Sequence, residues 1–138
     1  MNVLASDQAG RIASLIWNTS MLKGNVSVGL YVGGLDYGKG SPVMTENGAI
    51  TNRDTMQKKP PDILLTNCKM LDYLLIRPDY TRIWSSDGCV SPLKYVAVDE
   101  IHTFDGAQGT DLACLLRRLK TRLRIPQGNL CCIGTSGR

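Results

Sequence analysis

The chain has 138 residues, 43% of them hydrophobic and 20% charged, and sixteen basic against twelve acidic residues give a net charge of +4. That is enough to bury the core of one domain, and it excludes collagen-like, disulfide-framework and strongly charged disordered classes. No apolar run approaches the roughly 20 residues of a membrane span. The N-terminus has no basic stretch followed by an apolar one, so it does not read as a secretory signal. A cytoplasmic protein with no membrane partner is expected. The mild positive charge permits a nucleic-acid partner without arguing for one. Cys68, Cys89, Cys114, Cys131 and Cys132 form no CxxC pair and His102 is the only histidine, so zinc would lack its usual ligand pairs and reduced cysteines are expected.

In chain order, Ser6 or Asp7 can cap a first helix, in which Ala9, Ile12, Ala13 and Ile16 fall at helical spacing. Gly24-Asn25 ends it. Val26 to Val32 is rich in β-branched and apolar residues and reads as a strand. The stretch from about 34 to 61 is Gly, Pro and polar, too long for a routine connection, and reads as a surface loop. Asp62 to Leu65 is a short strand. Asn67 to Ile76 reads as a helix with Met70, Leu71, Leu74 and Leu75 on one face, and Ile83 to Val90 as irregular. Tyr95 to Val98 is an unbroken apolar run, as expected of a strand covered on both faces. Gln108 to Arg124 reads as a helix whose buried stripe is Leu112, Leu115, Leu116, Leu119 and Leu123. Its other side carries Arg117, Arg118, Lys120, Arg122 and Arg124, read as a solvated surface. Leu130 to Ile133 is a last strand. Alternating strands and helices indicate an α/β fold, with a mainly parallel sheet flanked by helices.

In such sheets, functional groups gather at the carboxyl ends of strands. Three ends stand out: Thr66-Asn67, Asp99-Glu100-Ile101-His102 and Gly134-Thr135-Ser136. Two adjacent carboxylates after a buried strand are costly unless they meet a cation. A Mg²⁺ carrying a nucleotide suits them, one acid holding the metal's hydration shell and the next polarising water. By itself an Asp-Glu pair more often caps a strand in solvent.

The ordered set of motifs is more specific. Residues 1–8 (MNVLASDQ), residues 61–67 (PDILLTN), Val98-Asp99-Glu100-Ile101-His102 and Gly134-Thr135-Ser136 resemble motifs Ia, Ib, II (Walker B) and III of superfamily 2 DExH-box helicases, and Val32-Gly33-Gly34 resembles a further piece of the same family between Ia and Ib. The likeness is to the branch of the Lhr and YprA kind and covers essentially the whole chain as a partial first RecA-like, ATP-binding domain, residues 1–138. It implies that Asp99 contacts Mg²⁺ through water, that Glu100 activates water and that His102 links the nucleotide site to motif III. It implies that Thr135 and Ser136 couple hydrolysis to strand movement. It also implies that Gln8, Arg11, Gly33, Gly34, Thr66 and Asn67 line the track of a DNA or RNA strand, chiefly through phosphate contacts. ATP and Mg²⁺ are the implied cofactors. Motif III departs from the common Ser-Ala-Thr, being Thr135-Ser136-Gly137 here.

An ATPase needs a glycine-rich phosphate cradle opening a helix. In the resembled family that Walker A strand and loop lie upstream of motif Ia, and a second RecA-like domain lies downstream of motif III. Both are expected to be missing partners, Met1 to be internal to a longer protein, and the chain to be inactive alone. Without the central Walker A strand, the two strands ending in Val98 and Ile133 are expected to pair with each other or leave a gap. Two other functions compete. One is a stand-alone P-loop NTPase using Gly33 to Lys39, which fits GxxxxGK but continues with Gly40 where Ser or Thr belongs. The other is a non-enzymatic nucleic-acid-binding module.

Overall fold

The computed structural model describes residues 2–34, 39–84 and 91–137. The chain forms two compact units, Met1–Tyr73 and Leu74–Arg138.

In the first unit, helix α1 (Asn2–Asn18) begins earlier than expected. Ser6 and Asp7 therefore lie inside it and do not cap it. The Asp7 carboxylate instead pairs with the Arg11 guanidinium one turn on, at 3.1 Å, the spacing at which opposite charges meet on a helix surface. Ala9, Ala13 and Ile16 are buried as a stripe. They pack with Val28, Leu30 and Val32 around strand β1 (Val28–Tyr31), which is buried along its whole length. The two alanines let the helix come close to the strand. Strand β2 (Ile63–Thr66) runs parallel to β1, with Val28 beside Ile63 and Tyr31 beside Thr66.

The expected loop of about 34 to 61 holds more structure than a surface excursion. Ile50 forms a parallel bridge to Gly29, with the Leu30 N–H donating to the Ile50 carbonyl at 2.8 Å and the Ile50 N–H to the Val28 carbonyl at 2.9 Å. β1 thus has a partner on both edges. A short helix, α2 (Arg53–Lys58), follows; the Asn52 side chain caps it by accepting from the Thr55 N–H at 2.9 Å. Met56 is fully buried and Arg53 nearly so. The Arg53 guanidinium donates to the Val32 carbonyl at 3.3 Å and lies 4.8 Å from the Tyr31 ring centre. The sequence RDTMQK has no apolar period, so the segment's burial was invisible to pattern reading.

Helix α3 (Cys68–Ile76) runs across the boundary of the units in sequence. Its Leu74 and Leu75 are buried. In the second unit a 3-10 turn (Pro78–Tyr80) leads into α4 (Thr81–Trp84), so Ile83 and Trp84 are helical, not irregular. Residues 85–90, with Cys89, lie outside the described residues, as do Met1, residues 35–38 and Arg138. Strand β3 (Tyr95–Val98) pairs in parallel with β4 (Cys131–Gly134), Tyr95 beside Cys131 and Val98 beside Gly134. Helix α5 (Gly106–Arg122) joins them. Leu115, Leu119 and Leu123 are buried, while Arg117, Arg118, Lys120, Arg122 and Arg124 are exposed.

Two features depart from expectation. The strands form two separate two-stranded pairs among the described residues, not one sheet. Strand β3 is not covered on both faces either: Tyr95 is 66% exposed, Ala97 is exposed, and all four residues of β4 are exposed. An apolar run reports what a strand can bury, and burial follows only where a second layer is laid on it. What stands is a small α/β fold of short parallel strand pairs and helices, none of whose described helices is long and apolar enough to cross a membrane.

Gly29 is a packing constraint. A Cβ there would lie 2.7 Å from the Pro61 ring and 2.8 Å from the Met56 sulfur. Gly29→Ala is expected to lower stability by about 1–3 kcal/mol through overpacking, read as a lower midpoint of urea unfolding at unchanged slope.

Candidate functional site

The parallel register of β3 and β4 sets their carboxyl ends side by side, because Val98 and Gly134 are partners. The Thr135 N–H donates to the Val98 carbonyl and the Ile101 N–H to the Thr135 carbonyl, each at 2.9 Å. The ladder therefore continues one step past the strands and locks the two tips together. On this frame the Thr135 hydroxyl donates to Asp99 Oδ1 at 2.7 Å, and the Glu100 N–H donates to the same oxygen at 3.0 Å. Two donors on one carboxylate oxygen fix its rotamer.

Glu100 adopts the left-handed conformation, φ 51° and ψ 45°, which is unfavourable for a residue with a Cβ. It turns the chain sharply into the 3-10 turn Ile101–Thr103. The Thr103 N–H and hydroxyl both donate to the Glu100 carbonyl, at 2.9 and 2.8 Å, and hold the bend. His102 Nδ1 lies 3.2 Å from Glu100 Oε2 and 2.9 Å from Ser136 Oγ. One ring nitrogen thus joins an acid after β3 to a hydroxyl after β4. The His102 and Glu100 side chains are 53% and 44% exposed, so both are open to a ligand and to water.

Asp99, Glu100, His102, Thr135 and Ser136 therefore form one cluster. Two glycines that the sequence motif contains, but to which pattern reading gave no role, shape it. A Cβ on Gly137 would lie 2.8 Å from Glu100 Oε1, and one on Gly134 would lie 3.1 Å from the Ile101 side chain. The glycines on either side of Thr135-Ser136 were the available signal.

The other candidate residues lie in the first unit. The register of β1 and β2 brings Gly33 and Gly34, after β1, to the same sheet end as Thr66 and Asn67. Gly34 has φ 84°, which suits glycine. Thr66 and Asn67 have structural work: the Thr66 hydroxyl donates to the Tyr31 carbonyl at 2.7 Å, and the Asn67 side chain caps α3 by accepting from the Met70 N–H at 2.9 Å. Gln8 and Arg11 are on α1, Gln8 half-buried and Arg11 exposed and paired with Asp7. Cysteine chemistry has little to recommend it. Burial pushes the Cys68 thiol up, away from the nucleophilic thiolate. The described residues hold no group of three His, Cys, Asp or Glu side chains able to bind a metal unaided.

Mg²⁺ does not need such a group. It is commonly held by one or two carboxylates with water and substrate phosphates, and an exposed Asp99 with one oxygen already oriented fits that role. The GxxxxGK stretch from Gly33 to Lys39 lacks the context of a phosphate cradle in its described neighbours. After Lys39, residues 40–52 hold no helix. A Cβ on Gly40 would lie 2.5 Å from the Thr51 carbonyl, so the Ser or Thr of a P-loop has no room at that position.

Comparison with known proteins adds an independent line. The chain is 38% identical to Druantia protein DruE of Escherichia coli, over 66% of this chain and 5% of that protein. It is 35% identical to the ATP-dependent helicase Lhr-Core of Methanocaldococcus jannaschii, over 56% of this chain and 8% of the relative. It is 40% identical to an uncharacterized ATP-dependent helicase, YprA, of Bacillus subtilis, over 49% and 8%. The chain thus spans less than a tenth of the length of each of these relatives. No family model matches the chain, and no solved structure does. Over about half its length the sequence is similar to segments of proteins named ATP-dependent helicases.

Two outcomes follow from the geometry. Glu100→Gly is expected to be more stable than Glu100→Ala by about 1 kcal/mol, since only glycine relieves the left-handed bend; thermal unfolding of the two variants checks it. The Cys68 thiol is expected to react with iodoacetamide more slowly than an unstructured thiol at the same pH, and to gain rate on denaturation.

Proposed function

We propose that the chain is part of the first RecA-like domain of an ATP-dependent nucleic-acid helicase, carrying the Walker B and motif III elements. In this reading the phosphate cradle and the second RecA-like domain are supplied by further polypeptide. The observation that carries the reading is the pair of contacts between the two strand tips, Thr135 to Asp99 and Ser136 to His102, in a sequence whose relatives are named ATP-dependent helicases.

Bound Mg²⁺-ATP supplies an electrophilic phosphorus and neutralises charge on the phosphates. The chain's residues do the rest. Asp99 offers its carboxylate to the metal's water shell, held in orientation by the Thr135 hydroxyl and the Glu100 N–H. Glu100 takes the proton of the attacking water through its half-exposed carboxylate. His102, shared between Glu100 and Ser136, links that carboxylate to the end of β4, so a shift of β4 is felt at the base. Gly33, Gly34, Thr66 and Asn67 offer backbone N–H and side-chain groups to nucleic-acid phosphates at the other sheet end, joined by Gln8 and Arg11 of α1. Thr66 and Asn67 can do so only with the valences left over from their structural bonds. Phosphate contact of this kind positions a strand without reading its sequence.

The stand-alone NTPase reading is disfavoured by the crowding at Gly40 and the lack of a helix after Lys39, although residues 35–38 of its loop lie outside the described residues. The purified chain is expected to show no DNA-stimulated ATP hydrolysis. Turnover abolished by both Glu100→Gln and Lys39→Ala would favour the stand-alone enzyme instead. In the longer polypeptide, Glu100→Gln is expected to slow hydrolysis by about 10²–10⁴-fold while nucleotide binding survives. The reading fails if that polypeptide contains no GxxxxGK-Ser/Thr loop, or if Glu100→Gln leaves turnover unchanged.

A further inference from the structure

We propose that the amino end of the β3–β4 pair and the carboxyl end of α5 together form a docking surface for a single strand of nucleic acid. It lies at the opposite end of β3 from Asp99 and does not rest on the ATPase reading. An open recess of about 360 Å³ sits there, lined in part by Pro92, Lys94, Tyr95, Ile125, Pro126 and Asn129. Tyr95 opens β3 and is 66% exposed. Lys94, fixed beside β4 by the Cys131 N–H donating to its carbonyl at 2.9 Å, is exposed and lines the same recess.

The other wall comes from the turn after α5. Arg124 is left-handed, φ 52°, and the Ile125 N–H reaches back to the Lys120 carbonyl at 3.1 Å. This turn carries Ile125 and Pro126 into the recess wall with Arg124 immediately before them. Lys120, Arg122 and Arg124 are all exposed, and no carboxylate among the described residues forms an ion pair with them or with Lys94. Basic residues in a last helical turn offset the helix dipole, which accounts for the sign of that turn. It accounts for neither Lys94 nor the exposed Tyr95 ring in the same recess. A recess lined by a lysine and an exposed aromatic ring, with Arg124 immediately before its Ile125 wall, offers contacts to the two chemistries of a nucleic-acid strand, its phosphates and the flat faces of its bases. An acidic peptide would satisfy the charges and leave the ring unused.

The test is binding of a fluorescein-labelled oligothymidylate to the whole chain, followed by anisotropy at several salt concentrations without nucleotide. The variant Lys94→Glu/Arg122→Glu/Arg124→Glu is expected to bind at least ~10-fold more weakly. Its plot of log affinity against log salt should be shallower by about 0.7 for each phosphate that the variant no longer neutralises. Tyr95→Ala is expected to lose about tenfold in affinity at unchanged salt slope, and Tyr95→Phe to retain wild-type binding. All changes are at exposed positions, and circular dichroism verifies folding. If the charge-reversed variant does not fold, the Tyr95 pair decides. The proposal is overturned if the wild-type chain does not bind at low salt, or if Tyr95→Ala binds like wild type. It is equally overturned if polyglutamate displaces the oligonucleotide as well as unlabelled oligothymidylate does, which would assign the surface to acidic peptides.

Discussion

The parallel register of β3 against β4 is the constraint on which the proposed chemistry depends. Because Val98 lies beside Gly134, the residue that follows each strand meets the residue that follows the other. A one-residue slip would turn Thr135 away from Asp99, since alternate residues of a strand face opposite sides. The Thr135–Asp99 hydrogen bond, the Ser136–His102 contact and the backbone bond from Ile101 to Thr135 all follow from that one alignment. Two stretches of chain about thirty-five residues apart in sequence are thereby brought into one cluster.

Strain and exposure fall at the same place. Glu100 sits in a backbone conformation that a glycine would occupy more comfortably. Backbone strain of this kind clusters at functional sites. Gly137 completes the arrangement by leaving space against the Glu100 carboxylate. In the first unit the balance differs. Thr66 and Asn67 sit at a strand end, where ligands are met, yet their side chains already tie β2 to β1 and cap α3. Residues of this kind serve the fold first, and any contact with a nucleic-acid strand is added to that duty.

Much of this was legible in the residues. The strand signals at 26–32, 62–65, 95–98 and 130–133 are where β1 to β4 stand, trimmed or shifted by one or two residues. Leu115, Leu119 and Leu123 of the α5 stripe are buried and its basic flank is exposed as the helical period implies, while Leu112 and Leu116 are only half-buried. What escaped was set by tertiary contact. Helix α2 is short and polar, and it is buried only because Met56 fits beneath Gly29 and Arg53 finds the Val32 carbonyl. The early start of α1 escaped because Asp7, a good capping residue, is used in a pair with Arg11. The exposure of β3 and β4 was unreadable from the apolar run at 95–98, which gives a strand's capacity for burial and not the presence of a cover. The cluster around Asp99 was legible as a set of motifs, but not the donors on Asp99 Oδ1 or the sharing of His102 Nδ1.

The central claim is that the joined tips of β3 and β4 form a site for a hydrated divalent cation oriented by the Thr135–Asp99 bond. Titration of the chain with Mn²⁺, followed by paramagnetic broadening of its amide NMR signals, tests this most directly. The account predicts broadening centred on the amides of Asp99, Glu100 and Thr135, and its loss in Asp99→Asn. Broadening centred on other carboxylates, or unchanged in Asp99→Asn, would contradict it.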